Sequence, residues 1–172
     1  MKLESTRTTG DLTAWLVPAR AGAVYRAFIP LDPVPTARPR FTRYGKVHAY
    51  DKQSRKRRAF IKALAFCTPG ELPFFEGPIQ LNLTFNIARP KSHFRTGKNS
   101  HLVKDSAPSY PSRSDIDNYS KFVMDCLNGK LFKDDRQVVR LLAEKQFSPE
   151  PSTEIEIRGV SIEKGQSNGE SN

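Results

Sequence analysis

Cysteine is scarce: the 172 residues hold two, Cys67 and Cys126, far apart and outside any CxxC pair. That excludes a disulfide framework and a cysteine-built zinc site, and both thiols read as small core residues in a reducing compartment. Histidine offers no substitute, because His48, His93 and His101 have no paired metal-ligand spacing. His48 is expected to be structural and the other two to lie in a loop. No apolar run approaches the ~20 residues of a membrane span, and the N-terminus lacks the basic-then-apolar order of a secretory signal. A cytoplasmic protein with no membrane partner is therefore expected. There is no internal repeat, and the length suits one domain with a true core.

Positive charge, in contrast, is abundant. Lys and Arg number 28 against 18 Asp and Glu, a net charge of +10. Residues 1–114 hold 20 basic and 7 acidic side chains, net +13, whereas residues 115–172 hold 8 and 11, net −3. The basic half suits a polyanion while the acidic half can hold metal. The plainer alternative is a basic protein with solvated lysines.

Residues 1–22 have mixed polarity without a sustained period and read as an N-terminal extension, with a short apolar segment (Leu12, Trp15, Leu16, Val17) that can dock on the domain. A loose alternation over 24–30 predicts a strand. Pro33, Pro35 and Pro39 extend the next stretch, and the turn Tyr44-Gly45-Lys46 predicts a small hairpin over 41–50. Asp51 can cap a helix over about 52–67, with Phe60, Ile61, Leu64 and Ala65 on one face. Strict alternation of Ile79, Leu81, Leu83, Phe85 and Ile87 predicts a strand over 78–88. Residues 89–114 make a long polar loop, a length that goes with function or mobility. A helix is predicted over about 116–128, closed by Gly129, followed by strands over 138–147 and 153–162. Residues 164–172 are Gly/Ser/Asn/Glu-rich and expected to be disordered. The order β–β–β–α–β–α–β–β predicts an α+β domain over 23–163, with a mixed sheet and two main helices.

Asp115, Asp117, Asp134 and Asp135 fall with Lys121 between residues 115 and 135. Asp115 and Asp117 lie where the long loop enters the second helix, and Lys121 follows one turn after Asp117. On a regular helix residues two apart diverge by about 200°, but before the first turn both carboxylates can converge on one ion. The same position offers free backbone N–H groups to a phosphate. Asp134-Asp135 follows a glycine-containing turn that can fold the chain back and deliver a further ligand. Such oxygen donors suit Mg²⁺, which takes one or two carboxylates and completes its shell with phosphate oxygens and water. Bound metal polarises a phosphate, and Lys121 can neutralise the charge that develops on it. An ordinary alternative stands beside this: Asp115 caps the helix, Lys121 pairs with Asp117 or Asp125, and Asp134-Asp135 is a polar turn.

The run Asp115-Ile116-Asp117-Asn118-x-x-Lys121, then Met124-Asp125-Cys126-Leu127-Asn128-Gly129, then Asp134-Asp135-x-Gln137-Val138, resembles the signature of the RusA-type Holliday junction resolvases. These are Mg²⁺-dependent endonucleases of bacteria and their phages. Pro33-Val34-Pro35-x-x-Arg38-Pro39-Arg40 resembles the family's proline- and arginine-rich stretch after its first strand. The resemblance covers about residues 24–161. It implies a RusA-like homodimer that binds four-way DNA junctions and makes paired nicks in recombination and repair. It implies Asp115, Asp117 and Asp135 as essential carboxylates, Lys121 as the essential lysine, Asp134 as a further candidate ligand, and Mg²⁺, replaceable by Mn²⁺, as cofactor. Asp125 also matches a family position and reads as structural, paired with Lys121. The chain departs from the family in its extension, its polar tail, and at Arg113-Ser114, where the family carries lysine-proline.

The grip on DNA is expected from Arg38, Arg40, Arg43 and Lys46, from Lys52 and residues 55–58, and from Arg89, Lys91, Arg95 and Lys98 of the long loop. Phosphate contacts position DNA and make binding salt-dependent. For residues 55–58 a solvated helix face is the competing account. Tyr44 and Phe94 can stack on an opened base. Phe41 can do so too, although core packing suits it better, and Trp15, Phe74 and Phe75 suit a core or a dimer interface. Two other functions compete: a non-catalytic DNA-binding protein of the same fold, and a nuclease for other branched nucleic acids.

Overall fold

Ile79, Leu81, Leu83 and Phe85 turn every second side chain of one strand inward, and all four are buried. The computed structural model describes residues 16–37, 53–68 and 70–161. Its elements in chain order are β1 (Leu16–Ala19), β2 (Val24–Ile29), α1 (Ser54–Cys67), β3 (Leu72–Phe75), β4 (Ile79–Ala88), α2 (Ile116–Leu127), β5 (Val138–Ser148) and β6 (Ser152–Gly159). The main sheet has the order β2-β6-β4-β5. β6 is antiparallel to both neighbours, and β4 and β5 are parallel. β1 and β3 form a separate parallel pair with Leu16 opposite Leu72. The domain is therefore α+β with a mixed sheet and two helices, as expected from the sequence.

Parallel β4 and β5 need a long crossover, and the loop 89–114 with α2 supplies it. α1 and α2 cover one face of the sheet. Phe60 of α1 meets Phe122 of α2 edge-on at 5.8 Å, and Tyr119 lies 5.3 Å from Phe85 below it. The spacing of Tyr119, Val123, Cys126 and Leu127 buries one helical face of α2. Burial pushes the Cys126 thiol up to about 12, which leaves it an inert core residue. Gly129, just past the helix, takes the left-handed conformation its position requires (φ +68°). Among the described residues no helix is long and apolar enough to cross a membrane.

Some sequence expectations fall outside the described residues, and others differ from the structure. The predicted hairpin over 41–50 and the cap Asp51 lie outside the described residues, as do Leu12 and Trp15 and the tail 164–172. α1 starts at Ser54, and the residue in its cap position is Gln53. The Gln53 side chain grips the proline-rich stretch instead, accepting from Ala37 N at 2.9 Å and donating to Pro35 O at 2.8 Å. β3 was not expected, and its Phe75 is core. β6 stops at Gly159, because the Val160 N–H leaves the ladder to donate to Pro78 O at 2.8 Å.

On the face of the sheet opposite the helices, Arg26 and Arg158 donate to Glu156 at 2.6 and 2.7 Å, and Asn82 adds a third bond at 3.0 Å. Hydrogen bonding from Arg158, aided by Arg26, outweighs burial and holds the Glu156 carboxyl down to about 2. A folded value below the unfolded one means that the carboxylate stabilises the fold above the ordinary value of 4.5 and loses that effect as pH falls toward about 2. Glu156→Gln is therefore expected to melt below wild type at neutral pH, with the gap closing across that window. A gap that stays constant on acidification would contradict this.

Candidate active site at the loop–helix junction

Asp115 occupies the cap position of α2 with extended backbone (φ −72°, ψ 147°). A cap aspartate usually commits its carboxylate to the first free amides. Asp115 makes no such bond. Asp117 in the first turn and Lys121 one turn later are exposed. Among the described residues, none of the three makes a side-chain hydrogen bond or ion pair. Asp125 pairs with Arg57 of α1 at 3.1 Å rather than with Lys121, because α1 packs across the helix and brings the guanidinium there. Lys121 is thus left free beside Asp117.

Two contacts hold this junction in place. Lys145 of β5 donates to the Ser114 carbonyl, one residue before Asp115. Lys145 sits opposite buried Phe85 in the ladder, on the helix-covered side. Sequence reasoning passed over it, although a charge at an inward position of a strand's two-residue period is a legible signal. On the other side, the Thr36 N–H donates to Asn118 O at 2.9 Å and ties the proline-rich stretch to the first turn of α2.

The second carboxylate pair is placed differently. Asp134 caps a short 3-10 turn, accepting from Arg136 N at 3.0 Å and from the Arg136 guanidinium at 3.0 and 3.1 Å. These bonds hold its carboxyl well below the usual range. Asp134 is thereby committed, and Asp135 is the exposed member of the pair. Gln137 fixes the turn with both ends of its amide. Its oxygen accepts from Lys133 N and Asp134 N at 2.8 and 3.1 Å, and its nitrogen donates to Phe75 O and Gly77 O at 2.9 and 2.8 Å. Gln137→Glu keeps the acceptor but turns an oxygen toward two carbonyls. It is expected to cost about as much stability as Gln137→Ala, roughly 1–3 kcal/mol for the lost bonds. Urea unfolding with an unchanged midpoint for either variant would contradict that.

Leu131 and Phe132 are fully buried and anchor this turn at the C-terminal end of α2. α2 therefore runs antiparallel to β5. Asp134 and Asp135 stand where β5 begins, while Ser114 and Asp115 stand beside Lys145 further along it. The strand from Val138 to Lys145 spans roughly 23 Å at ~3.3 Å per residue, and α2 itself spans about 18 Å at ~1.5 Å per residue. Each chain thus gathers Asp115, Asp117 and Lys121 at one end of α2 and keeps Asp134 and Asp135 at the other. In accord with this, no group of three or more His, Cys, Asp or Glu side chains among the described residues is placed to hold a metal ion.

Of the expected DNA-contacting cations, Arg38, Arg40, Arg43, Lys46 and Lys52 lie outside the described residues. Arg89 braces the long loop, donating to Pro108 O at 2.9 Å and lying 4.0 Å over the Phe147 ring. Arg95 pairs with Asp105 at 3.0 Å near the surface, a contact worth little that leaves its charge accessible. Lys91, Lys98, Arg55, Lys56 and Arg58 are exposed.

Residues 30–158 match the family model described as endodeoxyribonuclease RusA. The chain is also similar to YqaN of Bacillus subtilis (strain 168), described as an uncharacterized protein, at 35% identity over 133 residues, which covers 76% of this chain and 92% of that protein. The matched region contains Asp115, Asp117, Lys121 and Asp135.

Proposed function

The chain belongs to the RusA endodeoxyribonuclease family, and from that premise we propose that it is a Mg²⁺-dependent resolvase of four-way DNA junctions that acts as a homodimer in recombination and repair. The observation that carries this reading is the exposed, uncommitted trio Asp115, Asp117 and Lys121 where a basic loop enters α2. Two free carboxylates fit a cation that takes one or two carboxylates and otherwise phosphate and water. Asp115 and Asp117 would hold Mg²⁺, which when bound polarises the scissile phosphate and makes its water a stronger nucleophile. Because Asp115 leaves the first amides of α2 uncapped, they remain free to meet a phosphate oxygen. Lys121 neutralises charge as it grows on the phosphate.

Asp135 joins this set from a second copy. Among the described residues β5 is an edge strand of the sheet. It exposes Val139, Leu141 and Leu142, the last at 66%. A long edge strand that exposes apolar side chains is a template for strand pairing. Antiparallel pairing of β5 with β5 about a two-fold axis brings the start of one strand to the far end of the other, and so Asp135 of one copy toward the partner's Asp115 and Asp117. Two sites related by a two-fold axis match the symmetry of a four-way junction.

The test is cleavage of a labelled four-way junction beside duplex, flap and single strand, with and without Mg²⁺. Paired, Mg²⁺-dependent nicks on the junction are expected. Equal cutting of plain duplex, or no cutting, would contradict the reading.

A further inference from the structure

Two groups of exposed apolar side chains lie in very different electrostatic settings. Phe28 and Leu142 lie on the face of the sheet opposite the helices, where Arg26, Arg140 and Arg158 are balanced by Glu144, Glu154 and Glu156. Leu102, Val103 and Tyr110, the last 64% exposed, lie instead in the loop 89–114, which carries six Lys and Arg against one Asp. A neutral face has no reason to meet a polyanion, and a strongly cationic loop does.

The loop is braced rather than slack. Phe94 and Val103 form an antiparallel bridge, with Arg95 N donating to Leu102 O and Lys104 N to His93 O, both at 2.9 Å. The Lys104 ammonium donates to Ser92 O at 2.9 Å. Arg89 and His93 pack against Phe147 near the end of β5 and anchor the loop to the sheet. Leu102 and Val103 are therefore held in place before any ligand arrives, and the Arg89 bond to Pro108 O steadies the stretch that leads to Tyr110, which reduces the ordering cost of binding. The loop also re-enters the fold at the site itself, since Tyr110 precedes Asp115 by five residues and Lys145 fixes Ser114 between them.

We infer that Leu102, Val103 and Tyr110 form a wedge that packs against unstacked bases at the branch point and sets the preference for branched over linear DNA. This rests on the nuclease reading above. Intact duplex offers the wedge only phosphates and base edges, whereas a branch point offers base faces. Apolar and aromatic side chains exploit such openings by intercalating or stacking.

The test compares Tyr110→Ala/Leu102→Ser with wild type in binding a four-way junction and a matched duplex, with 2-aminopurine at the branch point reporting base stacking. The double variant is expected to keep duplex affinity, to lose roughly 10- to 100-fold in junction preference, the scale of one or two stacking contacts, and to lose the fluorescence change. Tyr110→Phe is expected to retain both, and each single variant to lose part of the preference, which keeps the test decisive if the double variant folds poorly. A double variant with the wild-type preference and fluorescence response would overturn the wedge, as would wild-type protein without branch preference. Cleavage of the same junction by wild type is scored separately. Branch binding and base unstacking without Mg²⁺-dependent cutting would overturn the nuclease reading while supporting the wedge.

Discussion

Asp117→Asn is expected to lower junction cleavage by more than about 10²-fold, the scale of losing a group that stabilises transition-state charge. Asp117 is exposed in the first turn of α2 and makes no side-chain bond among the described residues, so the fold does not depend on it. Its charge favours the helix N-terminus by about 0.3–1 kcal/mol, and the variant should melt only slightly earlier. Junction binding should persist or tighten, because a carboxylate facing phosphate is removed. Single-turnover cleavage with parallel gel-shift titration separates the two effects. Cutting near the wild-type rate would remove Asp117 from the chemistry.

Lys121→Ala is expected to reduce turnover by roughly 10²–10³-fold with little change in Tm. Among the described residues the lysine has no ion pair to lose, since Asp125 is engaged by Arg57, and alanine is the better helix former. A variant that unfolds would assign Lys121 a structural role instead. A variant that folds and cuts normally would remove it from catalysis.

The local parts of this site were legible in the sequence. The apolar period of Tyr119, Val123, Cys126 and Leu127 identified α2, and the loop before it placed Asp115 and Asp117 at a helix start. The alternation from Ile79 to Ile87 identified β4. What escaped depends on contacts between distant segments. β3 is a four-residue apolar stretch containing Pro73, and its partner β1 lies more than fifty residues upstream. No local period marks such a strand. The role of Gln137 was hidden for the same reason, because the carbonyls it meets belong to Phe75 and Gly77, about sixty residues away. The pairing of Asp125 with Arg57 depends on how α1 crosses α2, and helix periodicity does not specify that. The turn after Gly129 suggests a chain that folds back toward the helix start. Burial of Leu131 and Phe132 at the opposite end fixes where Asp135 stands.

The most direct test of a site completed by a second copy is complementation between two inactive variants. Asp117→Asn and Asp135→Asn are each expected to be inactive alone. Co-folded in equal amounts, they form mixed dimers in which one site carries both substitutions and the other carries neither. About half the dimers are then mixed, and about a quarter of all sites are intact. Four-way junction cleavage should return as single, unpaired nicks at roughly that fraction of the wild-type rate. If each site were built from one chain, every site in the mixture would still carry a substitution. A mixture that forms dimers and remains as inactive as its components would contradict the account.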